Sequence, residues 1–251
     1  MKKTALITGA TAGIGKSTAL LLAQKGWNLI LTGRRQERLN EIQKDLSQYD
    51  SQVLTLCFDV SQRSSCESVF KEYEKELSSV CTLVNNAGLA RGTDPMDEAS
   101  LNDWEEMIDT NVKGLLYMTR LALPFLKKNK NSHIINIGSV AGRWTYPGGG
   151  VYCSTKFAVR AISEGLRMDL NGTGIRVTNI SPGMVETEFS EVRLKDKQKA
   201  DAVYQGFEAL TPEDMAECIE WTLSRPQRVN IQEMVVYPTA QASVSLVDRS
   251  L

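Results

Sequence analysis

The stretch Thr4-Ala5-Leu6-Ile7-Thr8-Gly9-Ala10-Thr11-Ala12-Gly13-Ile14-Gly15 decides how the rest of the chain is read. It begins as a short strand of the buried kind and runs, through three glycines, into a helical pattern that starts at Ile14. Glycine removes the Cβ where a backbone must turn sharply and come close to a pyrophosphate. The helix behind the turn adds free N–H groups and the positive end of its dipole. Gly9, Gly13 and Gly15 are spaced GxxxGxG rather than GxGxxG, and no Gly-Lys-Ser/Thr closes the loop as in a triphosphate site. Tight strand–helix turns also use glycine for packing alone. The place of this one, with Thr11 and Ile14 inside it, between a first strand and a first helix makes it a dinucleotide site.

The next strand tells which dinucleotide. An NAD site places Asp or Glu at its end to accept from the ribose 2′-hydroxyl. Here that end reads Leu31-Thr32-Gly33-Arg34-Arg35, with two guanidinium groups and no carboxylate. Adjacent arginines clamp a 2′-phosphate through charge-assisted, bidentate bonds, so NADP(H) is the expected cofactor.

Outward from this unit, short apolar runs alternate with helical patterns. Strands are expected at 4–8, 28–32, 52–57, 82–84, 133–137, 176–180 and 233–237, and helices at 14–25, 36–46, 65–77, 104–128, 151–170 and 212–223. The runs are rich in Val, Ile and Leu with little alternation, as in strands covered on both faces. The fold expected is α/β, a Rossmann-type doubly wound parallel sheet of about seven strands with helices on both faces. No repeat or linker divides residues 1–251, so one domain is expected, with the charged stretch 188–210 as a substrate lid.

Composition narrows the function classes. The 251 residues carry 29 basic and 30 acidic side chains, a net charge of −1, which leaves no bulk attraction for nucleic acid or an anionic membrane. Five scattered cysteines without a CxxC pair speak for reduced thiols in a cytoplasm and against disulfides or structural zinc. A single histidine, His133, leaves no material for a His-based metal cluster or a Ser-His-Asp triad, and no metal is expected. Met1-Lys2-Lys3 and the apolar residues behind it imitate a signal peptide, but the run stops at Thr8-Gly9. The run Lys127-Lys128-Asn129-Lys130 reads as a helix C-terminus that complements its dipole.

Tyr152-Cys153-Ser154-Thr155-Lys156 puts a phenol and an ammonium four residues apart on one helix face. A tyrosine with its ordinary pKa of about 10 is a poor acid–base group near neutrality. A neighbouring Lys⁺ and an oxidised nicotinamide both favour the phenolate. Taken alone such a pair is more often structural. Upstream, Ser139 follows the strand ending at Ile137, at the carboxyl end where open α/β sheets place ligands. Asn111 is a polar residue inside an apolar-striped helix, which is costly unless it has partners.

Together these residues resemble the short-chain dehydrogenase/reductase family over essentially the whole chain. The motifs stand in the family's order: Thr8 to Gly15, Asn85-Asn86-Ala87-Gly88, Asn111, Ser139, Tyr152-x-x-x-Lys156 and Pro182-Gly183. The resemblance implies that Tyr152 is the proton donor for carbonyl reduction and the base for alcohol oxidation. It implies that Lys156 lowers the pKa of Tyr152 and holds the nicotinamide ribose, that Ser139 orients the carbonyl, and that Asn111 holds a proton-relaying water. Asp59 and Val60 would face the adenine, and Asn85 to Gly88 would line the cofactor. Pro182, Gly183, Met184, Val185 and Thr187 would hold the nicotinamide end. A homotetramer built on helices 104–128 and 151–170 is also implied. Members that use NADP often carry a basic residue in the glycine turn where this chain has Ala12, so the cofactor choice rests on Arg34 and Arg35.

A narrower resemblance lies in Tyr146-Pro147-Gly148-Gly149, in Val185 to Arg193 and in Tyr237 to Ser243. These are similar to a subgroup, the NADP-dependent 3-hydroxy acid dehydrogenases, which implies serine, allo-threonine or 3-hydroxypropionate as the kind of substrate. A small acid needs a cation for its carboxylate. Arg193, Arg143 and Lys195 are the candidates, and Arg193 is preferred beside Ser139 and Tyr152. The alternative is an NADPH-dependent reductase of another carbonyl, a 3-oxoacyl thioester, a sugar or a cyclic ketone.

Overall fold

In the computed structural model, which describes residues 2–129 and 131–250, the hydrophobic residues of the strands sort by parity. Ala5 and Ile7 of β1 (Thr4–Ile7) and Leu29 and Leu31 of β2 (Asn28–Gly33) face one side of the sheet. There they meet α1 (Gly13–Gln24) and α2 (Gln36–Leu46) through Ala19, Leu22, Leu39 and Ile42. Leu6 and Ile30 face the other side, with Phe70, Met118 and Leu126. Successive strand side chains point to opposite faces, so apolar runs without alternation require cover on both.

All seven strands are parallel, in the order β3-β2-β1-β4-β5-β6-β7, with β3 at Val53–Cys57, β4 at Val80–Asn85, β5 at His133–Ile137, β6 at Arg176–Pro182 and β7 at Glu233–Val236. The chain winds outward from β1 to β3, then returns to pair β4 with β1. That switch point opens a crevice at the carboxyl ends of the strands, where this fold binds ligands. The expected doubly wound sheet is thus observed.

Two expected helices are interrupted. The pattern at 65–77 divides at Tyr73 into α3 (Arg63–Glu72) and α4 (Glu74–Leu77). The pattern at 104–128 is α5 (Leu101–Ile108), a π-helical turn over Asp109–Gly114, and α6 (Leu115–Lys128). Gly114 lets this turn lie against Val60, where a Cβ would stand 3.0 Å from Cγ2 and 3.2 Å from the carbonyl oxygen. A π turn re-aims the side chains on it, and such turns are frequent at functional sites. α7 spans Gly150–Asp169, and α10 (Pro212–Ser224) begins with a capping box between Thr211 and Asp214. The stretch expected as a lid carries α8 (Phe189–Leu194) and α9 (Lys197–Val203). Met1 of the leader-like start and Lys130 of the basic run lie outside the described residues.

Candidate active site

A cavity of about 520 Å³ opens at the switch point. Its floor is the glycine turn. Gly9 and Gly13 have φ of 63° and 49°, the left-handed region that glycine enters without cost. A Cβ on Gly9 would stand 2.9 Å from Cα of Ala87, and one on Gly33 would stand 2.6 Å from Cγ2 of Thr11. The cradle therefore fits a ligand that needs bare backbone close by, as a dinucleotide pyrophosphate does. At one end Arg35 donates from Nε and Nη2 to Thr11 Oγ1 at 3.3 and 2.9 Å, with Arg34, Asp59 and Val60 lining the same end. Pro182, Gly183, Met184, Val185 and Thr187 line the cavity as well, and Thr187 lies over the glycine turn, its Cγ2 3.1 Å from where a Cβ on Gly13 would stand.

Of the expected catalytic residues, Ser139, Tyr152 and Lys156 line the same cavity. Ser139, extended at φ −173°, caps a short 3-10 turn (Val140–Gly142), its Oγ accepting from the N–H of Ala141 at 3.1 Å. That bond uses an acceptor lone pair and leaves the hydroxyl hydrogen to be donated. Tyr152 and Lys156 project from the first turns of α7. Lys156 Nζ donates to the carbonyl of Ile137 at 2.9 Å and lies 5.9 Å from the centre of the Tyr152 ring. Phe189 packs on the other side of that ring at 5.6 Å, and the Arg193 guanidinium lies over it at 5.9 Å. Asn111, on the π turn, accepts from the N–H of Leu89 at 2.8 Å. It donates to the carbonyl of Leu89 at 2.8 Å and to Thr155 Oγ1 at 3.0 Å.

The family model of short-chain dehydrogenases matches residues 3–198. The chain belongs to the short-chain dehydrogenase/reductase family. It is similar to the NADP-dependent 3-hydroxy acid dehydrogenase YdfG of Escherichia coli strain K12, at 48% identity over 245 residues, 96% of this chain and 97% of that protein. It is also similar to sulfoacetaldehyde reductase 2 of Chromohalobacter salexigens, at 47% identity over 252 residues, 99% of this chain and 100% of that one. Among solved structures, the closed form of serine dehydrogenase complexed with NADP+ superposes with a TM-score of 0.91 and 47% identity, covering 97% of this chain and 98% of the other.

Several expected site residues of this short-chain dehydrogenase sit elsewhere. Asn85 does not line the cavity: its amide donates to Thr119 Oγ1 and Asn136 Oδ1, both at 2.9 Å, inside the sheet. Asn86, just past the end of β4, turns instead to the glycine turn and braces it, its amide donating to the carbonyls of Thr8 and Gly9. Gly15 supports the turn from beneath, since a Cβ there would stand 2.5 Å from Asn86 Nδ2 and from the Gly9 carbonyl oxygen. Arg143 pairs with Glu233, and Lys195 faces Asp103 at 3.5 Å, which leaves Arg193 as the one of the three candidate cations that lines the cavity. Reading the sequence missed Phe58, Tyr146 and Gln241, which line the cavity too. Gln241 accepts from the N–H of Met184 at 2.8 Å and so ties the C-terminal segment to the wall of the cavity at Met184. Only the resemblance of the segments around Tyr146 and Gln241 pointed to them.

Burial governs the ionisation of Tyr152 and Lys156. It pushes the Tyr152 phenol well above its ordinary value, while Ser139 and Arg193 pull it down. Lys156, expected to lower the pKa of Tyr152, donates to the Ile137 carbonyl, and burial brings its own pKa down to about 8. Burial likewise raises the Cys153 thiol, which fits packing and not nucleophilic attack. Among the described residues no cluster of His, Cys, Asp and Glu could hold a metal, and no helix is long and apolar enough to cross a membrane.

Proposed function

We propose that this protein is an oxidoreductase moving a hydride between NADP(H) and a small 3-hydroxy acid or its 3-oxo counterpart. The observation that carries the substrate reading is Arg193, whose guanidinium faces the reactive phenol inside the cavity. When bound, the cofactor supplies or accepts the hydride at the substrate carbon. Arg34 and Arg35 hold its 2′-phosphate, and Gly9, Thr11, Gly13 and Ile14 approach its pyrophosphate.

In reduction, Ser139 donates its free hydroxyl hydrogen to the carbonyl oxygen, and Tyr152 donates the proton that turns this oxygen into a hydroxyl. In oxidation the same phenol oxygen takes the proton back. Lys156 holds the nicotinamide ribose and, as a cation, favours the phenolate. Asn111 clamps the Leu89 segment to α7 with its amide hydrogens. Gly88 brings bare backbone up to both groups: a Cβ there would stand 3.2 Å from Asn111 Oδ1 and 3.6 Å from Lys156 Nζ, so a side chain would crowd the gap in which a relay water is proposed.

Phe189, Val192, Tyr146 and Val244 pack in the cluster that holds Tyr152 and, with Arg193, line the cavity, a setting that favours a small acid over a bulky ketone or long thioester. A planar guanidinium takes a carboxylate or a sulfonate alike. The test follows absorbance at the reduced-nicotinamide band with NADP or NAD and L-serine, D-serine, allo-threonine and 3-hydroxypropionate. Reduction of NADP by a small 3-hydroxy acid is expected. NADPH oxidation by bulky ketones with silence on every acid would overturn the substrate. Residues 188–210 act as the lid. A cytoplasmic homotetramer completes the proposal, and the exposed Leu101, Ile108, Leu116, Phe157 and Met168 on α5 to α7 support its assembly face.

A further inference from the structure

Glu188 opens the lid segment, next to Thr187, whose Cγ2 lies 3.1 Å from where a Cβ on Gly13 would stand. Its carboxylate reaches across the edge of the cofactor crevice. One oxygen accepts from Arg35 Nη1 at 3.0 Å and the other from Arg38 Nη1. Arg35 and Arg38 lie one turn apart at the start of α2, so both guanidinium groups face the same place. We propose that Glu188 is a specificity-determining residue, an internal carboxylate that competes with the cofactor's 2′-phosphate for Arg35 and Arg38. This rests on the reading that Arg35 receives the phosphate.

Competition, and not support, follows from the bonds of Arg35. Its Nε and Nη2 are already oriented by Thr11 Oγ1, so the ion pair with Glu188 occupies its remaining nitrogen instead of positioning the group. Arg34 contributes less free charge, since it faces Asp59 at 3.4 Å and Glu106 at 3.7 Å. A phosphate entering between Arg35 and Arg38 displaces the carboxylate and releases the first residue of the lid. A ribose with a free 2′-hydroxyl leaves that pairing in place. Arg38 thereby becomes a third cation of the phosphate site.

The test is calorimetric binding of 2′,5′-ADP, ADP, NADPH and NADH to the wild-type protein, Glu188→Gln and Arg35→Gln. Two half-exposed ion pairs are removed from competition, so Glu188→Gln is expected to tighten 2′,5′-ADP and NADPH about two- to tenfold. ADP and NADH should change by less than about twofold, which also reports that the variant is folded. Arg35→Gln is expected to weaken only 2′,5′-ADP and NADPH, the two ligands that carry a 2′-phosphate. If Glu188→Gln binds 2′,5′-ADP unchanged or more weakly while Arg35→Gln loses it, the competition is overturned and the phosphate site stands. If Arg35→Gln binds 2′,5′-ADP as the wild type does, both fall.

Discussion

Arg193 is held between Gly92 and Tyr146: its Nε donates to the Gly92 carbonyl and its Nη1 to the Tyr146 hydroxyl, each at 3.0 Å. The carbonyl of Arg193 in turn accepts from the N–H of Gly92 at 3.0 Å, so α8 docks on this loop with the guanidinium already aimed. Arg193→Gln removes the charge and keeps most of the length. A hydrogen bond to a charged group contributes about 1.5–3 kcal/mol, so kcat/KM for a small acid should fall about 10- to 150-fold, mainly through KM. Steady-state kinetics check this, and an uncharged hydroxy compound of the same size should lose far less.

Proton transfer by Tyr152 is separable from binding. Tyr152→Phe keeps the ring between Phe189 and Lys156 and removes only the hydroxyl. Turnover should drop by about 10²–10⁴-fold, while NADPH binds as before in a fluorescence titration. Normal turnover of this variant would sink the assigned chemistry.

Ser139→Ala removes a donor to the substrate oxygen and the cap on the 3-10 turn. The expected loss in kcat is about 10²–10³-fold, with a stability cost of about 1 kcal/mol from the cap. Rate measurement and a denaturant titration read the two effects apart.

Lys156 carries a cost the fold accepts for function. Its pKa falls from an ordinary 10.5 to about 8 on burial, so below pH 8 the charged form destabilises the folded state by about 3 kcal/mol. Between pH 8 and 10.5 the unfolded chain binds the proton that the folded one has released, and wild-type stability rises with pH across that window. Lys156→Met should therefore be more stable than wild type at pH 7, with an advantage that shrinks toward pH 10, while turnover is abolished. Melting curves of both proteins across this range check the sign.

How far the sequence carried these readings differs by element. The sheet was legible because each strand is apolar without alternation and β1 ends in a turn that three glycines define. The π turn was not, since an apolar stripe continues through 104–128 and nothing local in it marks the extra residue per turn, which lies where Gly114 meets Val60, a residue distant in sequence. Asn85 and Asn86 read as one motif, yet β4 ends between them: Asn85 bonds Thr119 and Asn136 inside the sheet, and Asn86 bonds the glycine turn. Glu188 lies far from Arg35 in sequence, and only the path of the lid over the glycine turn brings them together.

Gly15 provides a test of the cradle that needs no catalytic residue. The position is helical, so its backbone suits alanine, and the space does not: a Cβ would stand 2.5 Å from both Asn86 Nδ2 and the Gly9 carbonyl oxygen. Asn86 cannot withdraw without releasing its bonds to Thr8 and Gly9, which hold the turn. Overpacking of this kind costs about 1–3 kcal/mol, and here the displacement falls on the pyrophosphate site. Gly15→Ala should lower the melting temperature and weaken NADPH and NADH equally, because the pyrophosphate is common to both. A selective loss of NADPH would show that the strain travels to Arg35 and not to the turn.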